Sequence, residues 1–351
     1  MTLKSPNQAK FGNPTSTSTF NDKEIERVES LKDIFQDIKV ELSKAIIGQD
    51  DAIEKLFICM LSQGHGLLMG VPGLAKTLLV NSLAQTTSLS FGRIQFTPDL
   101  MPSDVTGTDI LQPKENGDGK EFTFIKGPIF ANVILADEIN RTPPKTQSAL
   151  LEAMQEQHVT VAGKNHTLAK PFFVLATQNP IEQEGTYPLP EAQLDRFMFI
   201  VRMEYPERDH ELTIARQTTI GRSPKLRKVI SGKALKEYQQ LTEKIPVPDH
   251  IFDLAVDLVR RTRPKSEEAP SWIKELVDWG AGPRAVQFLV RGAKARAIIH
   301  GNYMVSSQDL EAVVEPVLSH RIITNFHARS QGITSSKVIQ RLIQELLNEH
   351  K

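Results

Sequence analysis

Residues 70–77 read Gly70-Val71-Pro72-Gly73-Leu74-Ala75-Lys76-Thr77. They lie between an apolar run, Gly66-Leu67-Leu68-Met69, and a helical one over 78–84. A strand that empties into a glycine-bearing loop and re-emerges as a helix constrains the fold more than any other stretch of this chain. Such a loop points backbone N–H groups inward, and the following helix aims the positive end of its dipole at the same spot, so the pair cradles phosphate. Lys76 then meets the outer phosphates of a nucleotide such as ATP, and the Thr77 hydroxyl ligates Mg²⁺. Gly70, Val71, Pro72, Gly73, Leu74, Ala75 and Leu78 complete the cradle. Ala75 stands where glycine is usual. Alanine lacks glycine's freedom at positive φ, so the expectation is a negative φ at Ala75.

Further residues strengthen this reading. The apolar run Val133-Ile134-Leu135-Ala136 ends in Asp137-Glu138. Asp137 is the candidate for the Mg²⁺ shell, directly or through water. Glu138 is the candidate base that orients and deprotonates an attacking water. A second apolar run, 172–177, ends in Gln178-Asn179. Asn179 suits water positioning, although it precedes Pro180 and could instead open a turn. Two arginines, Arg196 and Arg284, are of the kind that stabilise transition-state charge on phosphate. Arg196 could also pair with Asp195 or Glu191 on the surface. Arg284 follows Gly282-Pro283 at a helix start, where a cation opposes the dipole, so some other demand keeps it there. Arg141 faces either a neighbouring subunit's nucleotide or its own loop. Ile46, Ile47 and Gly48 read from the residues alone as core packing between two helices.

The length of 351 residues favours two domains. Lys+Arg and Asp+Glu are 42 each, so the formal net charge is zero. That argues against a broad nucleic-acid footprint and suits self-assembly. Cys59 is the single cysteine and sits in an apolar stretch, as a core residue would. The histidines, including His65, His158 and His166, lack metal-ligand spacing and read as surface or strand residues. No run reaches the ~18 apolar residues of a membrane span, and a cytoplasmic location is the expectation.

Helical periodicity covers 22–40 and 51–61, then strands and helices alternate to about 206, which indicates a parallel sheet with helices on both faces. Thr142 is the expected N-cap of the helix that follows the acidic strand, with Pro143 at its first position. Two hairpins interrupt the alternation, one around residues 108–125 with Asn116-Gly117-Asp118-Gly119 at its tip, the other over 158–168. Beyond 207 only helical patterns are expected. The divisions are a flexible tail at 1–20, a core at 21–206, a linker and helix at 207–230, and a helical domain at 231–351.

In their order along the chain, the phosphate loop, Asp137-Glu138, Asn179, Arg196 and Arg284 resemble an AAA+ ATPase. Within that class the strings Phe96-Thr97-Pro98-Asp99-Leu100, Gly127-Pro128-Ile129-Phe130-Ala131-Asn132, Ala136-Asp137-Glu138-Ile139-Asn140-Arg141 and Leu189-Pro190-Glu191-Ala192-Gln193-Leu194-Asp195-Arg196-Phe197 resemble the MoxR family. The Ala75 variant is similar to that family's pattern too. The resemblance covers roughly 40–320 and implies an α/β phosphate-loop core with a C-terminal all-α lid. It implies a hexameric, Mg²⁺-dependent ATPase that remodels or matures partner proteins, some with von Willebrand factor A domains. It further implies that Arg196 acts in trans, that Arg284 acts in cis, and that Ile46-Ile47-Gly48 packs on adenine. Two alternatives stay open: a nucleic-acid or chelatase-type motor, and a nucleotide-gated scaffold with little hydrolysis.

Overall fold

The computed structural model describes residues 20–114, 119–181, 185–219 and 224–349. Most of the expected tail, the tip of the first hairpin and the start of the expected linker lie outside them. The chain opens with helices α1 (Asp22–Ser43) and α2 (Asp50–Leu61), then strand β1 (Gly66–Met69), α3 (Lys76–Thr86), β2 (Phe91–Gln95) and the short α4 (Pro102–Thr106). A hairpin of β3 (Gly107–Pro113) and β4 (Lys120–Lys126) precedes β5 (Val133–Asp137) and α5 (Pro144–Glu156). A second hairpin, β6 (His158–Val161) and β7 (Lys164–Thr167), leads to β8 (Phe173–Gln178), α6 (Glu191–Leu194), β9 (Phe199–Arg202) and α7 (Arg208–Thr219). The C-terminal part holds α8 (Gly232–Lys244), α9 (Asp249–Arg261), α10 (Ser271–Leu276), β10 (Val277–Trp279), α11 (Pro283–Ile299), α12 (Ser307–Leu318), β11 (Ile323–Thr324), α13 (Phe326–Ser330) and α14 (Ser335–Glu349).

Five parallel strands form the central sheet in the order β2-β5-β8-β1-β9. Alternation along each strand sends side chains to two different cores. From β5, Val133 and Leu135 join α1, α2 and α3 on one face, whereas Ile134 and Ala136 join Val105 of α4 and Leu150, Leu151, Ala153 and Met154 of α5 on the other. The inner strands β5, β8 and β1 are buried on both faces, which is why they read as continuous apolar runs, whereas the edge strand β2 carries Arg93 and Gln95. On α1 the stripe Val28, Leu31, Phe35, Ile38 and Leu42 is buried, and Asn21 with Glu24 forms a reciprocal capping box at its start.

Several local expectations change. β10 and β11 pair antiparallel beyond residue 207, where only helices were expected. They are short, at three and two residues, and too brief to show a period. Pro143, not Thr142, caps α5, because the Thr142 hydroxyl is taken by the Thr97 carbonyl at 2.8 Å. The C-terminal helices pack on one another, α11 with α12 and α9, and α12 with α14. α11 packs on α1 and α2, and one hydrophobic cluster runs from Val28 to Leu346. His65 is buried, contrary to expectation. Its ring joins the Met154 carbonyl to the Val174 N–H, each at 3.1 Å.

Candidate active site

Because every strand of the sheet runs the same way, its two edges are chemically distinct. At the carboxyl ends, Met69 opens into the phosphate loop, β5 ends at Asp137 and β8 ends one residue before Asn179. Crevices at such ends are where open α/β sheets bind ligands. Thr77 at the start of α3 lies beside the acid, its Oγ1 at 3.4 Å from Asp137 Oδ2. Leu74 is buried beneath the loop, while Pro72, Gly73, Ala75 and Leu78 are exposed and Val71 is half-buried. The Lys76 ammonium folds back on the Gly70 carbonyl, so the lysine that is expected to meet phosphate here closes its own loop.

Ala75 overturns the expectation of a negative φ. It caps α3 in the left-handed region, at φ 56° and ψ 27°. The loop keeps the geometry that glycine usually supplies and holds alanine in it at a conformational cost of about 1 kcal/mol or more. Glu138 is similarly placed, at φ 57° and ψ 50°, a conformation that persists only where the surroundings over-determine it.

Those surroundings are polar and connected. The Thr177 hydroxyl donates to Asp137 Oδ1 at 2.7 Å and accepts from the Glu138 N–H at 2.8 Å. The Arg93 guanidinium spans Asp137 Oδ2, at 2.8 and 3.2 Å, and Gln95 Oε1 at 2.7 Å. Gln95 donates to Glu138 Oε2 at 3.0 Å, and Arg141 reaches the same oxygen at 3.1 Å. Two adjacent carboxylates therefore carry cationic and amide partners, which offsets their mutual repulsion. Arg141 anchors its own loop, one of its two expected readings. Asn179 is buried and does open a turn, its Oδ1 accepting from the Ile181 N–H at 3.1 Å. Its amide nitrogen remains as a donor.

Arg93, Gln95 and Thr177 are not singled out in the sequence. The pairing register is what brings them in. Gln95 lies opposite Asp137, and Ala176 lies opposite Ala136. Alternation then puts Arg93 on the same side of β2 as Gln95.

The site suits Mg²⁺. A carboxylate and a hydroxyl, both hard oxygen donors, converge beside the loop, and no cluster of three metal-ligating side chains exists among the described residues. Mg²⁺ held by one or two protein oxygens and by substrate phosphate needs no such cluster. The Arg93 guanidinium supplies positive charge beside Asp137.

Ile46 is buried in the main core, whereas Ile47 and Gly48 are half-buried. Gly48 has φ 73°, and an added Cβ there would sit 2.8 Å from the His210 ring nitrogen. Beside it lies a cleft of about 410 Å³ lined by Lys55, Arg202, Glu204, His210 and Glu315. It borders the nucleotide edge but is not lined by the phosphate loop.

The two arginines lie elsewhere. Arg196 precedes β9, and Met198 donates to the His65 carbonyl at 2.7 Å, next to the start of β1. Arg284 Nη1 pairs with Asp195 Oδ2 at 2.7 Å. Together they line a cavity of about 270 Å³ with His65 and Arg291, at the amino ends of the strands. A sheet of four- to six-residue strands at ~3.3 Å per residue separates its edges by roughly 15 Å. Arg284, expected to act in cis, here has its side chain at the edge away from the loop. Asp195 also accepts from Arg321, so Asp195 is not available to Arg196 as a surface partner. The Arg196 guanidinium makes no hydrogen bond or ion pair among the described residues.

Comparison with known proteins agrees with this architecture. Residues 65–199 match the model of the ATPase family associated with various cellular activities, and residues 270–342 match the AAA lid domain. The chain is 41% identical over 304 residues to "Chaperone MoxR1" of Mycobacterium tuberculosis, covering 87% of this chain and 79% of that one. It is 29% identical over 301 residues to "Protein MoxR" of Methylorubrum extorquens, covering 80% and 85%. A crystal structure of a candidate ATPase from Cytophaga hutchinsonii superposes with a TM-score of 0.84 at 41% identity, over 91% of this chain and 96% of that one. With its parallel sheet, phosphate loop and helical lid, the chain belongs to the MoxR family of AAA+ ATPases.

Proposed function

We propose that this chain hydrolyses ATP at the junctions of a homo-oligomeric ring, of six subunits, and spends the conformational change on remodelling or maturing protein clients. The separation of the candidate catalytic set carries the reading. The phosphate loop, Asp137 and Glu138 lie at one edge of the sheet, and Arg196 with Arg284 at the other. One copy cannot bring them together, but two copies stacked edge to edge can.

Thr77 and Asp137 are the residues that hold Mg²⁺, which when bound offsets charge on the outer phosphates. Lys76 leaves the Gly70 carbonyl for the γ-phosphate. Glu138 takes a proton from the attacking water, which Asn179 helps to orient. A neighbouring copy's arginines, Arg196 foremost, stabilise the charge of the transition state, a contribution worth on the order of 10³-fold or more in such enzymes. Gly48 and Ile47 line the base. The clients include proteins with von Willebrand factor A domains, a reading that rests on family resemblance. Balanced charge argues mildly against a nucleic-acid motor. No helix among the described residues is long and apolar enough to cross a membrane, and the proposed compartment is the cytoplasm.

Glu138→Gln tests the chemistry. The variant is expected to bind ATP as the parent does and to release phosphate at least about a hundredfold more slowly. Phosphate release within twofold of the parent would remove Glu138 as the base.

A further inference from the structure

Arg321 lies three residues beyond α12, between lid and sheet, and is 5% exposed. A guanidinium this deep is costly unless each donor is answered. Here the partners come largely from one short segment. Nε donates to Asp195 Oδ1 at 2.7 Å, and Nη2 donates to the carbonyls of Asp195 and Phe197, both at 2.8 Å. Nη1 reaches the Val317 carbonyl of α12 and, at 3.4 Å, that of Met198. The neighbouring His320 ring also meets the Phe197 carbonyl, at 3.1 Å. One face of the guanidinium lies 5.1 Å from the Phe288 ring of α11. The two carbonyls gripped by Nη2 flank Arg196. The carboxylate gripped by Nε gives its second oxygen to Arg284.

We infer that Arg321 is a positioning residue for the arginine edge, fixing the backbone on both sides of Arg196 and, through Asp195, the side chain of Arg284. A planar fork with five donors can do this. Lysine, with a single compact ammonium, cannot span Asp195 Oδ1 and two carbonyls at once. Burial lowers the Arg321 pKa to about 10, with Asp195 opposing the shift, so the group stays cationic at neutral pH. The lid thus reaches the sheet at the segment that carries Arg196, and a shift of α12 would be transmitted to both arginines.

This inference rests on the reading that those arginines serve a neighbouring copy. Arg321→Lys is therefore mixed with Glu138→Gln subunits, beside a control mixture of Arg196→Ala with Glu138→Gln. Arg321→Lys alone is expected to keep ATP affinity within twofold, since the nucleotide edge is untouched, and to lose turnover at least about tenfold. Mixing with Glu138→Gln should restore phosphate release, because the latter subunits supply an intact arginine edge. Mixing with Arg196→Ala should not. Asp195→Asn, which keeps one acceptor oxygen but gives up the second of the pair divided between Arg321 and Arg284, should repeat the pattern. Turnover within twofold of the parent, or no restoration while the control mixture recovers, would overturn the role of Arg321. Failure of the control mixture itself would overturn the trans reading, and the role of Arg321 with it.

Discussion

Ala75 and Glu138, both on the nucleotide edge, hold φ values of 56° and 57°. Non-glycine residues in that region cost about 1–3 kcal/mol each, so the loop and the acid tip are held by their surroundings rather than by preference. Ala75→Gly should therefore change stability by less than about 1 kcal/mol, strain relief opposing added chain entropy, and should retain nucleotide binding. Ala75→Val, a β-branched residue at positive φ, should weaken ATP binding at least about tenfold. Calorimetric titration of both variants checks this, and equal affinities would mean that the loop re-forms with Ala75 at negative φ. Arg93 makes a separate prediction. Its guanidinium sits on the oxygen of Asp137 that also faces Thr77, so it competes with Mg²⁺ for that carboxylate. A half-exposed pair is worth up to about 1 kcal/mol, so Arg93→Gln should lower the Mg²⁺ concentration that half-saturates nucleotide binding about two- to fivefold. An unchanged or higher requirement would contradict that competition. Lys76, Thr77, Asp137 and Glu138 are legible in the sequence because each follows an apolar run. Arg93, Gln95 and Thr177 are not, because only the register of β2, β5 and β8 makes them neighbours.

At the scale of elements, long periodic helices and buried strands can be read directly, and short pieces cannot. α1 and α2 fall on the periodic stretches, and β1, although short, falls on the apolar run that leads into the phosphate loop. β9, with four residues, and β10 with β11 have too few positions to show a period. His65 shows what this misses. It joins the end of α5 to β8 through both ring nitrogens, and burial lowers its pKa to about 4 from 6.5. The folded chain keeps the ring neutral where the unfolded chain binds a proton, so stability falls as pH drops from 6.5 toward 4. At ~1.4 kcal/mol per pH unit, unfolding in urea should cost roughly 2 kcal/mol less at pH 5 than at pH 7.5. Buried His320, also shifted down by desolvation, acts in the same direction. Glu41, held to about 2 by Lys44 and Arg227, stays ionised across that window, and its support is lost only as pH falls below about 4.5. Equal stability at pH 5 and 7.5 would contradict the neutral, buried His65.

For the whole molecule, the decisive feature is the opposition of two sheet edges, and this is the least legible part in sequence. Motif order puts Arg284 in the lid but does not say which edge the lid meets. That depends on β9 lying beside β1 and on α11 packing against α1 and α2. A set divided in this way predicts that turnover per subunit falls on dilution below assembly while nucleotide affinity holds. Phosphate release and sedimentation measured across the same concentrations check it. Constant turnover in the monomeric range would contradict the composite site.

The claim beneath all of this is that the loop from Gly70 to Thr77 is where ATP binds. Titration calorimetry of Lys76→Ala against ATP with Mg²⁺ addresses it directly. The account predicts no measurable binding in a protein that melts within a few degrees of the parent. An affinity equal to the parent's would contradict it.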